Sequence, residues 1–236
     1  MPFLSELFLL VMANHQHIVL VSGGRLGDKN FFSKILAETP NRLLICCDGG
    51  ADHLAAMSML PDVLLGDMDS IEPMQLAHCE RQGVKIIKYS VDKDFSDTAL
   101  ALDFALSLHP QTIDIWGAQG GRIDHALSNL FLLLKARKEG IKARLMDEYC
   151  EAFTAMDDVV FTESKECVVS LLALSPCVSG ITLQGFLYPL TDGTLKMSES
   201  RGLSNVITAD PATVHIRSGH LLVVRYWKKD VFPGAH

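Results

Sequence analysis

Short aliphatic runs and helical segments alternate from His17 to Asp147, and few folds accommodate that order. The strand candidates are HIVLV (17–21), RLLICC (42–47), DVLLG (62–66), VKIIKY (84–89), TIDIW (112–116) and ARLMD (143–147). Helical character falls between them, at about 30–38, 51–59, 73–82, 97–108 and 124–138. Strict alternation implies crossover connections and a mostly parallel sheet flanked by helices. The runs are apolar on both faces, as doubly covered strands are.

Beyond Glu151 the helical period stops. Strand-like runs such as ECVVSLLALS, SGITLQGF, TDGTLKMS and ATVHIRSGHLLVVRYW are separated by turn residues. Asp192-Gly193 and Ser218-Gly219 read as hairpin signals, because glycine supplies the positive φ of tight turns. The expectation is an α/β domain over residues 17–150 followed by a small all-β sandwich over 151–236.

A formal charge of −7 and a pI near 5.7 argue against nucleic acid or an anionic membrane surface as a partner, since both require a positive field. A polyanionic ligand must instead be held by local groups or a metal. The six cysteines form no C-x-x-C pair or zinc-ligand cluster and read as reduced thiols, which suits a cytoplasmic protein. The apolar start FLSELFLLVM (3–12) is too short to span a bilayer and carries Glu6, so it is expected to be a short helix or an extension.

In an open α/β sheet, ligands bind beyond the carboxyl ends of the strands. There the sequence places SGGRLGD, DGGAD, GDMDS, VDKDFSD and GAQGGRIDH in turn. Asp67 and Asp69, two apart in an extended segment, would face the same side, and such carboxylates suit Mg²⁺. A polar turn would account for the same pair. Asp94 and Asp97 precede the run TALALDFALSL, where capping explains one of them and a third metal-site carboxylate is the alternative for Asp97. The loop holding Gly121, Arg122 and Asp124 combines glycines, a guanidinium and a helix start, the ingredients of a phosphate cradle or of tight packing alone. No G-x-x-x-x-G-K-[ST] loop, G-x-G-x-x-G pattern or G-x-S-x-G elbow occurs. The chemistry left is displacement at phosphorus, driven by positioning and charge neutralisation.

Taken in order, CCDGGAD, LLGDMDSI, DFSDTALAL, GGRIDHALSN and SRGLSNVI resemble the thiamin pyrophosphokinase family, over about residues 18–225. The resemblance implies attack of the thiamin hydroxyl on the β-phosphorus of MgATP, giving thiamin diphosphate and AMP. It implies that Asp67, Asp69 and Asp97 surround Mg²⁺ and the phosphates, that Asp48 lies near ATP or the substrate hydroxyl with Gly49 at the nucleotide, and that Gly121, Arg122 and Asp124 line the nucleotide side. Ser204 and Asn205 match the thiamin-pocket motif, and Tyr188 stands where an aromatic stacks on the substrate ring. A homodimer with thiamin sites at the subunit interface is implied as well. The carboxylates alone equally fit a magnesium phosphotransferase acting on another hydroxylated metabolite, while a ligand sensor would bind without turnover. The identity of a general base stays open.

Overall fold

The computed structural model describes residues 16–47, 49–69, 71–90 and 95–227. The expectations for the segment at 3–12, for Asp48 and for Asp94 fall outside them. The chain divides into two compact units after Glu148.

The first unit carries β1 (His17–Val21), β2 (Arg42–Cys47), β3 (Val63–Gly66), β4 (Lys85–Lys88), β5 (Thr112–Trp116) and β6 (Lys142–Met146). Its helices are α1 (Lys29–Ala37), α2 (Gly50–Ala55), α3 (Pro73–Arg81), α4 (Asp97–Ser107) and α5 (Ile123–Lys138). The strands lie in the order β6-β5-β1-β2-β3-β4, and every pairing is parallel. From β1 the chain winds outward through β2, β3 and β4, then returns to the other side of β1 with β5. The order therefore reverses between β1 and β5, and it is at the carboxyl ends beside such a reversal that open α/β sheets bind ligands. Four of the five residues in β1 are buried, and five of the six in β2.

A buried carboxylate interrupts this apolar sheet. Asp114, in the middle of β5, is buried and accepts bonds from Arg144 of β6 at 2.5 and 3.0 Å, with His17 Nε2 at 3.2 Å. Burial pushes its carboxyl pKa up, but the hydrogen bonds from His17 and Arg144 outweigh that and hold it below the ordinary carboxylate range.

The second unit carries β7 (Cys150–Ala155), β8 (Val159–Phe161), β9 (Val168–Ala173), β10 (Cys177–Gln184), β11 (Leu190–Lys196), β12 (Asn205–Val206), β13 (Ala212–His215) and β14 (Leu221–Tyr226). Antiparallel pairing gives two layers, β12-β9-β14-β7 and β11-β10-β13-β8. Val169, Leu171 and Val223 from the first layer and Ile181, Leu183 and Val214 from the second form one buried core. This is the expected sandwich, reached with two differences in its turns. Asp192-Gly193 lies inside β11, where Gly193 pairs with Ile181 at a register shift; it is a bulge and not a hairpin turn. Ser218-Gly219 does turn, with Gly219 at φ 102°, but it carries the chain from β13 in one layer to β14 in the other. Gly219 has the positive φ read from the sequence, while at the bulge the left-handed residue is Asp192, at φ 49°; strand partners depend on long-range pairing. The strands β7 and β8 were not anticipated, because CEAFTA is buried on both faces and shows no alternation.

Removing Asp114 leaves Arg144 facing a buried gap, so Asp114→Ala is expected to cost about 3 kcal/mol in urea denaturation followed through Trp116 fluorescence in a Trp227→Phe background. Because the folded pKa is depressed, the contribution is full above the unfolded carboxylate value of about 3.9 and is lost as pH falls through the lower folded value. The gap between wild type and variant should accordingly narrow in acid.

Candidate active site

At the switch point the turn after β1 is pressed between its neighbours. The Ser22 N–H donates to Trp116 O at 2.8 Å, Gly24 N–H to Gly117 O at 2.7 Å and Arg25 N–H to Gln119 O at 3.1 Å. A Cβ on Gly24 would stand 2.4 Å from Gly117 O, one on Gly117 would stand 2.2 Å from Ser22 O, and one on Gly23 would stand 3.1 Å from Gly49 Cα. Glycine is thus required for backbone to meet backbone, and Gly117 also has φ 66°. Beneath this seam the Ser22 and Thr98 hydroxyls pair at 2.6 Å, both buried, which ties β1 to the head of α4. His53 Nε2 meets Gly24 O at 2.7 Å.

Asp67 and Asp69 follow β3, half-buried and exposed respectively. Their relation differs from the extended one expected. Met68 between them has φ 68°, and Asp69 N–H donates to Asp67 Oδ1 at 3.3 Å, so a left-handed residue turns the segment and folds one carboxylate onto the next amide. Asp97 opens α4, but Ser96 is the cap, accepting from Ala99 N at 3.3 Å. The capping role allowed for Asp97 therefore belongs to Ser96. Among the described residues, no group of three or more His, Cys, Asp and Glu is placed to hold a metal ion.

The loop after β5 carries Gly120 and Gly121 at φ 88° and 69°. Asn129, buried on α5, donates to Ala118 O at 2.8 Å and holds the loop to its helix. Arg122 is the N-cap residue, and its fork grips Asp124 in the first turn at 2.6 and 3.2 Å. The guanidinium holds the exposed Asp124 carboxyl down at about 2, and the carboxylate in return raises the Arg122 pKa. Arg25, beside the same seam, is bonded to Glu148.

The second unit has a hollow of about 260 Å³ walled mainly by Leu171, Leu183, Leu195 and Leu203, with Tyr188 and Arg201 also facing it. Tyr188 lies in the β10–β11 connection, its side chain exposed. Asn205, at the start of β12, also lines the hollow. Its Oδ1 accepts from Tyr188 N at 3.0 Å and its Nδ2 donates to Tyr188 O at 2.8 Å. Ser204, at φ 56°, neighbours the hollow without lining it, and its N–H donates to Ser170 Oγ at 3.0 Å. Arg201 and Leu203 went unremarked in the sequence although one precedes the GLSN motif and the other lies within it; Ser22, Thr98 and Asn129 had no signal apart from lying in quoted motifs.

Two family models match: thiamin pyrophosphokinase, catalytic domain, over residues 36–145, and thiamin pyrophosphokinase, vitamin B1 binding domain, over 158–221. Thiamine pyrophosphokinase of Bacillus subtilis is 31% identical over 211 residues, covering 88% of this chain and 97% of that protein. The chain belongs to the thiamin pyrophosphokinase family. Crystal structures of thiamine pyrophosphokinase from B. subtilis (TM-score 0.79, 28% identity, 89% of this chain and 98% of that one) and of a thiamin pyrophosphokinase family protein from Enterococcus faecalis (TM-score 0.73, 27% identity, with the same shares covered) are similar over nearly their whole lengths. Thiamin pyrophosphokinase from Candida albicans shares the fold, with TM-score 0.77 at 18% identity, covering 93% of this chain and 90% of that one. As a thiamin pyrophosphokinase the protein is a transferase. The glycine seam falls partly within the catalytic match, and the hollow lies within the B1-binding match.

In this thiamin pyrophosphokinase, Arg122→Ala should move the Asp124 titration from about 2 toward the ordinary value of about 3.9, read by carboxyl ¹³C NMR.

Proposed function

We propose that the protein transfers the diphosphate group of ATP to the hydroxyl of thiamin, with ATP at the glycine seam of the first unit and thiamin in the hollow of the second. The reading is carried by the seam itself: glycine-bearing loops after β1, β2 and β5 meet backbone to backbone at the β1/β5 switch point, where an open α/β sheet binds its ligands. The hydroxyl oxygen forms a bond to the β-phosphorus, the bond from that phosphorus to the α–β bridging oxygen breaks, AMP leaves and the hydroxyl proton is released.

Asp67, Asp69 and Asp97 are assigned to the phosphate end, as catalytic and metal-binding groups. They offer oxygen donors alone, which fits Mg²⁺, an ion held by one or two carboxylates together with substrate phosphates and water. When bound it supplies neutralisation of charge on the transferring group. Asp48, Gly49 and Gly121 border the nucleotide, and Arg122 exchanges its bond to Asp124 for one to a phosphate oxygen. Tyr188 stacks on a ring of thiamin, with Ser204 and Asn205 beside it.

Two copies form a homodimer whose thiamin sites lie at the subunit interface. Ile123, Leu127 and Phe131, at helical spacing on α5 and 85%, 51% and 46% exposed, support a face for the second copy. The cysteines are all free and five are buried, which supports a reducing, cytoplasmic setting. No helix among the described residues is long and apolar enough to cross a membrane.

Incubation with thiamin and MgATP should yield AMP and thiamin diphosphate in equal amounts, resolved by anion-exchange chromatography; ADP as the nucleotide product would refute the reading. Asp67→Asn should lower kcat at least about 100-fold at an unchanged melting temperature, since it removes a charge that faces the transferring group.

A further inference from the structure

We infer that Asn205 is a positioning residue for thiamin, acting through Tyr188: its side chain fixes the backbone of the β10–β11 connection and so holds the Tyr188 ring at the hollow. The inference rests on the thiamin reading above and adds a division of labour within that site.

The case starts from what an asparagine amide can do. It has an oxygen with two acceptor positions and a nitrogen with two N–H donors. Oδ1 accepts from Tyr188 N at 3.0 Å and from Val206 N at 2.9 Å, which fills both acceptor positions. Nδ2 gives one of its hydrogens to Tyr188 O at 2.8 Å. Since two main-chain N–H groups point at one end of the amide and a carbonyl at the other, the pattern also fixes which end is oxygen. One side chain thereby holds both the N–H and the C=O of the same residue, so the peptide planes on either side of Tyr188 are fixed together. Leu187 N–H donates to Val206 O at 2.8 Å, Phe186 bridges Ile207, and Pro189 stiffens the following step.

Burial separates the two residues. Asn205 is 7% exposed and its oxygen is fully engaged, whereas Tyr188, which its amide holds, is 65% exposed at the hollow. An exposed aromatic on a mobile loop would lose both backbone and side-chain freedom on stacking with a substrate; a clamped one has lost the backbone share already.

The decisive measurement is a double-mutant cycle in steady-state kinetics on the full chain, with Asn205→Asp, Tyr188→Ala and the combination. Asn205→Asp keeps the shape and the acceptor but turns a second oxygen toward Tyr188 O. Each single variant should raise the thiamin KM about tenfold, with the ATP KM unchanged and kcat lowered by less than about threefold. The combination should be no worse than Tyr188→Ala alone. Multiplicative effects would mean that Asn205 meets the substrate independently and would overturn the inference.

Should Asn205→Asp fail to fold by circular dichroism, Pro189→Gly loosens the same connection: it should raise the thiamin KM in the wild-type background and change nothing in Tyr188→Ala, and equal effects in both would overturn the inference. The Tyr188 amide resonance of Asn205→Asp, or of Pro189→Gly if only that variant folds, reports the clamp without any substrate, and an unmoved resonance also overturns it. Absence of AMP formation by the unsubstituted chain would refute the proposed function instead, so the two failures are told apart.

Discussion

The seam in which the turn after β1 meets the loops after β2 and β5 sets the geometry of the catalytic unit. Gly23 packs tightly on Gly49, and Gly24 faces the carbonyl of Gly117 at a separation that admits no side chain. Parallel strands bring their carboxyl ends to one edge, and this contact then locks the loops that leave those ends against one another. The Ser22–Thr98 hydroxyl pair then draws the head of α4, and with it Asp97, to the same seam. Each element is ordinary, and the site arises because three loops occupy a space that glycine alone permits.

Much of this was legible in the residues. The doubly buried runs of β1, β2 and β5 stand where the aliphatic stretches placed them, because strands apolar on both faces leave little freedom of assignment. The neighbour of β1 was not legible, since pairing with β5 joins positions 95 residues apart, as His17 opposite Thr112 shows. The turn at Met68 was hidden for a different reason: a non-glycine residue in the left-handed region gives no compositional sign. Asp192-Gly193 carried a true signal of unusual backbone with the wrong partner attached to it. In the candidate site, motif residues were found by type, while the local anchors Ser22, Thr98 and Asn129 emerged only from contacts.

Two asparagines show how the same device serves both units. Asn129 of ALSN holds the carbonyl of Ala118, and Asn205 of GLSN holds the main chain of Tyr188. Each sits at the end of a short motif and restrains a loop that precedes it, by 11 and 17 residues respectively. A buried amide suits this task because leaving it unpaired is costly, so the loop and the anchor order one another.

The layer β12-β9-β14-β7 places β14 between β7 and β9, although β14 follows both in the chain. A ribosome releases β7 and β9 well before the strand that joins them exists. Until Leu221–Tyr226 emerges, two apolar edges wait without a partner, so this half of the sandwich closes only once that strand is made. Nascent chains would thus carry sticky strand edges through that interval, and a chaperone would find its work concentrated there.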